Sequence, residues 1–179
     1  MGIEIVTERL RIRPAEADDL PALHGVLASN PWYLELTEGS GGEVGRYDLS
    51  AFQRDWQVAS VTGREVLGAY LRPGGEAVGL LDLMRENPRD GCPWIGLAVV
   101  HRDRQRMGLG QEMVEALIQY GKGHLGWKRA RLGVIVGNEA GARLATALGF
   151  KAMDRVTRRF PAGLREVVVY ERRLVDRPG

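Results

Sequence analysis

A single cysteine, Cys92, among 179 residues leaves no intrachain disulfide to build a fold around. The three histidines, His24, His101 and His124, are scattered, and no metal-ligand spacing appears among them, so no metal is expected. No run approaches the roughly 18 apolar residues that cross a membrane. The opening MGIEIVTERLRIRP lacks the apolar centre of a signal peptide. A cytoplasmic protein without a membrane partner is the expectation. Charge of one sign is also lacking. Lys and Arg number 25 against 23 Asp and Glu, a net charge of +2, too balanced to point to nucleic acid. There is no repeat and no low-complexity linker, so residues 1–179 read as one domain.

What is present is a change of hydrophobic period along the chain. Residues 5–13 alternate, with Leu10 and Ile12 between Arg9, Arg11 and Arg13, which predicts a half-buried strand. Asp18 and Asp19 are placed to cap a helix over 19–28 that carries Leu20, Leu23, Val26 and Leu27 on one face. Residues 29–47, with Asn30-Pro31 and Gly39–Gly42, read as a loop, and Ser50 as the cap of a second helix. Strands at 66–71 and 77–84 flank Pro73-Gly74-Gly75 as a hairpin. Residues 94–100 are almost wholly apolar, as in a strand buried on both faces. A helix over 109–122, a strand over 131–136, a helix over 139–148 ended by Gly149, and a hairpin of 151–160 with 166–174 complete the series. This order predicts an α/β domain with a mixed, mostly antiparallel sheet of about seven strands and about four helices.

Chemistry concentrates in Leu97–Leu117. An apolar strand enters a turn holding Gly108 and Gly110, and a helix starts at once. The first turn of a helix has amides without intrahelical partners and the positive end of its dipole, while glycine admits close approach. That junction suits a phosphate. It is not a Walker A loop, since no Gly-Lys-Ser/Thr follows. Nor is it a dinucleotide fingerprint, because position 113 is Met113.

Gln105-Arg106-Met107-Gly108-Leu109-Gly110 resembles the Gln/Arg-x-x-Gly-x-Gly/Ala motif of the GCN5-related N-acetyltransferases (GNAT), with Val100 eight residues ahead of the first glycine. A strand, Asn138, a short helix and Leu148-Gly149-Phe150 match that family's next motif. The opening Thr7–Arg13, with Asp18-Asp19 after it, is similar to the ribosomal-protein N-acetyltransferase branch. The resemblance implies acetyl-CoA as co-substrate and a splayed strand pair at its site. It implies that Ala98 and Val100 expose backbone to the pantetheine arm. The amides of Gln105, Arg106, Met107, Gly108, Leu109 and Gly110 would hold the diphosphate, and Asn138 would bond the pantetheine. The Val100 N–H would polarise the thioester carbonyl. The expected acceptor is a primary amine, on a small molecule or at a peptide N-terminus.

The sequence departs from the pattern at Ala145, five residues before Phe150, where many members carry a tyrosine acid. Asp82, inside an apolar strand, is the candidate base, or else the partner of an arginine. Trp32, Glu35 and Glu38, in the irregular stretch, are candidates for the acceptor pocket. A non-catalytic CoA-binding module of the same fold is the alternative. Arg155, Arg158, Arg159, Arg165, Arg172 and Arg173 alternate with apolar residues, which a solvated sheet face explains without nucleic acid. The last hairpin offers an edge at which a second copy could pair.

Overall fold

The computed structural model describes residues 2–39 and 47–175. Its strands are β1 (Ile5–Val6), β2 (Leu10–Pro14), β3 (Arg64–Leu71), β4 (Ala77–Met84), β5 (Trp94–Val100), β6 (Arg129–Ile135), β7 (Lys151–Phe160) and β8 (Gly163–Arg173). The helices are α1 (Leu20–Ala28), α2 (Pro31–Glu38), α3 (Leu49–Val61), α4 (Leu109–His124) and α5 (Glu139–Ala147). The strands form one sheet in the order β1-β2-β3-β4-β5-β6-β8-β7. All neighbours are antiparallel except β5 and β6. A parallel pair needs a crossover, and α4 supplies it. The mixed α/β architecture is the expected one, with eight strands for about seven and five helices for about four among the described residues.

Alternation along β4 divides the core in two. Leu81 and Leu83 join α4 residues Met113, Leu117 and Ile118 on one face. Leu80 joins Leu20, Leu23, Val26 and Phe52, from α1 and α3, on the other. Gly79 faces α4 so closely that a Cβ there would lie 2.6 Å from the Met113 sulfur.

Local side chains explain where the structure departs from the sequence reading. The first strand is broken in two, because the Thr7 hydroxyl accepts from the Leu10 amide at 2.9 Å and closes a turn over residues 7–10. Asp19 precedes α1 but does not cap it with its side chain. Its carboxylate takes the Arg13 guanidinium at 2.7 and 2.9 Å instead. Residues 31–38 are helical rather than a loop, since Pro31 stands in the first turn, where its fixed φ and missing N–H cost nothing. Residues 40–46, which hold most of the Gly39–Gly42 run, lie outside the described residues. Asp48, not Ser50, caps α3, accepting from the Ala51 amide at 2.8 Å. β5 is not buried on both faces: Gly96 is exposed and Leu97, Ala98 and Val100 are half-buried, because they border a cavity.

Candidate active site

The ladder between β5 and β6 ends after two residue pairs, Trp94 with Arg131 and Ile95 with Leu132. Beyond Ile95 the two strands part. On its other edge β5 stays paired with β4 through Val100 opposite Gly79. The His101 amide donates to the Val78 carbonyl at 2.8 Å. Antiparallel alternation then turns the backbone of Leu97 and Val99 toward β4 and that of Ala98 and Val100 toward the gap. The gap opens into a cavity of about 1080 Å³.

At one end of this cavity lies the glycine turn. Arg106 and Gly108 both have positive φ, +62° and +79°. Two left-handed residues with Met107 between them curl the chain so that successive amides converge, an anion-binding shape. The first helical bond of α4 runs from the Glu112 amide to the Gly108 carbonyl at 3.0 Å. The amides of Leu109, Gly110 and Gln111 are therefore left at the free N-terminus of a 16-residue helix. The Gln105 amide differs from this group, donating to the Arg102 carbonyl at 3.3 Å. Of the arginines near the turn, Arg104 pairs with Glu76 at 2.8 Å.

The turn is held from behind by the N-terminal hairpin. Arg9 donates through Nη1 to the Met107 carbonyl at 2.7 Å and through Nε to Glu112 at 2.6 Å. Thr7 donates its hydroxyl to Glu112 at 2.6 Å. In the sequence Arg9 stands out only as a polar position of an alternating strand and of the opening motif; the contact spans 98 residues of chain. Burial opposes the charge on Glu112, but the bonds from Thr7 and Arg9 outweigh it and hold the carboxyl below its ordinary value. A carboxylate with a lower pKa folded than unfolded adds stability that is full above the unfolded pKa, about 4.3, and lost as pH falls through the folded one. Glu112→Gln should therefore be less stable than the parent near pH 7, with the difference shrinking toward pH 3. Urea midpoints across that range would check it, and a pH-independent difference would contradict it.

Asn138 caps α5, its Oδ1 accepting from the Gly141 amide at 2.9 Å, and its side chain borders the cavity. The cap uses the oxygen and leaves the Nδ2 group for another partner. Ala145 is 1% exposed. A methyl at that depth supplies no proton.

Residues of α2 and α3 also line the cavity. Trp32, Tyr33 and Glu38 line it; Glu35, on the same helix, is exposed and does not. Glu38 titrates above its ordinary value because burial and the Asp55 charge disfavour its anion. Tyr33 is pushed up to about 12 by burial, with the charges of Asp82 and Glu38 adding to it. Asp82 is bound by Arg64, whose Nε sits 3.1 Å from each carboxylate oxygen and whose Nη2 also donates. A free carboxylate at 82 is thus replaced by an ion pair. Tyr47 donates its hydroxyl to Asp55. Among the described residues no cluster of three or more His, Cys, Asp or Glu could hold a metal.

An acetyltransferase (GNAT) domain model matches residues 9–151, and the chain belongs to that family. Solved structures share the fold along nearly the whole chain. A RimL ribosomal L7/L12 α-N-protein acetyltransferase in complex with coenzyme A is 18% identical, with 96% of this chain and 98% of that one covered and a TM-score of 0.74. A GNAT-family acetyltransferase from Bacillus anthracis is 16% identical, with 96% and 98% covered and a TM-score of 0.78. A ribosomal-protein-S5-alanine acetyltransferase from Vibrio fischeri is 13% identical, with 96% of each chain covered and a TM-score of 0.73. No curated protein matches the sequence.

Proposed function

We propose that this chain is an acetyl-CoA-dependent N-acetyltransferase acting on a primary amine, with a peptide N-terminus as the favoured acceptor. One observation carries the reading. The gap-facing amides of Ala98 and Val100 open onto the same cavity as the unbonded amides of the Gly108 turn. A diphosphate at the turn and an extended arm along the gap fit that arrangement. The ribosomal-protein enzymes among the structural neighbours support the choice of acceptor.

Acetyl-CoA supplies an activated acyl carbonyl and a thiol leaving group. The chain supplies position and polarity. Amides from Arg106 to Gln111 hold the diphosphate, and the free Nδ2 of Asn138 donates to the pantetheine arm. The Val100 N–H donates to the carbonyl oxygen as charge builds on it. Glu38 draws the ammonium group into the acceptor half, beside Trp32. Asp82 stays paired with Arg64 and takes the amine proton through water at its remaining lone pair. The amine nitrogen bonds the acyl carbon, the C–S bond breaks, and with Ala145 offering no acid the departing thiolate takes its proton from water, so positioning supplies most of the acceleration. The free, buried Cys92 fits a reducing compartment such as the cytoplasm.

Calorimetry with CoA, followed by thiol release from acetyl-CoA with free and N-blocked peptides, amino acids, polyamines and aminoglycosides, tests the proposal. Release that requires a free amine supports it. Tight CoA binding with no release for any amine would leave a CoA-binding module instead.

A further inference from the structure

Asn30 is one of two buried polar residues among those described, at 0% exposure. It stands at the N-cap of α2, where an Asn side chain ordinarily accepts from the helix's own amides. This one does not cap. Its Nδ2 donates to the Val100 carbonyl at 3.1 Å and to the Val26 carbonyl at 3.1 Å, with Ser29 Oγ at 3.2 Å. Its Oδ1 accepts from Gln105 Nε2 at 2.7 Å, and that same Nε2 donates to the Val100 carbonyl at 2.9 Å. Two side-chain amides therefore meet on one carbonyl and on each other. The other end of that peptide is also fixed, by the His101 amide on the Val78 carbonyl at 2.8 Å.

A buried amide that forgoes the helix beside it, and bonds a strand 70 residues away, registers one against the other. The strand end lies five residues past Ile95, the last β5 residue paired with β6, so it borders the open gap. The helix carries Trp32, Tyr33 and Glu38, the acceptor wall. We infer that Asn30 and Gln105 are a positioning pair: they fix the peptide after Val100, keep its carbonyl from pairing across the gap, and set the acceptor helix against the acyl site. The Gln105 side chain, in a motif whose backbone faces phosphate, thus works on the other side of the turn. The catalytic half of this inference rests on the proposed transferase activity; the clamp itself does not.

Two readouts separate them. Without ligand, the His101 amide of Asn30→Ala should exchange with solvent about 10-fold faster than in the parent, as loss of one buried bond implies. In transfer assays kcat should fall at least about 10-fold, while the CoA dissociation constant changes little, because the amides of the Gly108 turn are untouched. Asn30→Asp keeps the shape but loses the donor when ionised. Burial favours its neutral form, which can donate to Val100, so its kcat relative to the parent should rise as pH falls. Gln105→Ala combined with Asn30→Ala should cost less than the sum of the two. Unchanged His101 exchange in both single variants overturns the clamp. Faster exchange with unchanged kcat overturns its catalytic role. A parent that transfers no acetyl group overturns the proposed function instead, and the exchange result still decides the clamp.

Discussion

Replacing Gly108 with valine is expected to weaken CoA binding about 100-fold or more, the loss of roughly two charge-assisted hydrogen bonds. Gly108 sits at φ +79°. An L residue there costs roughly 1–2 kcal/mol, and a β-branched one more. The turn would relax toward negative φ, and the amides around it would no longer converge. A Cβ at this position would also lie 3.4 Å from an Arg9 nitrogen, so the valine branches press on the side chain that holds the Met107 carbonyl. Gly110→Ala is the control. Gly110 is already inside α4, and its added methyl would meet Val100 and Leu144 at 3.6 and 3.9 Å, ordinary contact distances. Calorimetry with CoA, beside thermal unfolding, reads both variants. Equal loss of affinity in the two would refute the assignment of the left-handed bend as the part that matters.

Val100→Pro should lower kcat by about 10²–10³-fold, the effect of removing one oxyanion donor, and leave CoA affinity within a few-fold. Proline deletes the N–H, holds φ at about −65° and replaces the valine side chain with its ring, so melting curves are read beside the kinetics. Because the Val100 amide faces the gap, no bond to β4 is lost, and Val100 is the last residue of its strand. The carbonyl that Asn30 and Gln105 hold is retained. Val99→Pro makes the contrast. It deletes a rung toward Leu80 and a buried side chain, so it should unfold the protein at a lower temperature. Steady-state kinetics with melting curves distinguish the two. A Val100→Pro enzyme that turns over at the parent rate would remove this amide from the mechanism.

These two variants also mark how far the sequence could be read. The glycine turn was legible because its signal is local: a strand, two glycines and a helix start within about fourteen residues, Leu97–Gly110. From sequence, though, Gly108 and Gly110 look equivalent. The backbone separates them, one left-handed and one helical. Gly149 was legible for the same reason, as the terminator of a short helix. The α2 side of the cavity was not. Asn30-Pro31 carries the signature of a turn and serves as a helix start, and a two-residue sequence cue cannot tell these apart. Of Trp32, Glu35 and Glu38, only the first and last reach the cavity, a matter of helical phase that exists only once α2 is known to be a helix.

The sequence alone determined most of the elements, the family and the place of the glycine turn, because periodicity and glycine act over a few residues and leave a readable trace. The tertiary structure alone decided the partners. Arg64 took Asp82, Arg9 and Thr7 took Glu112, and Asn30 took Val100. A long-range hydrogen bond or ion pair depends on strand order and twist, and distant residues that meet through the fold carry no mark of it in their own neighbourhoods.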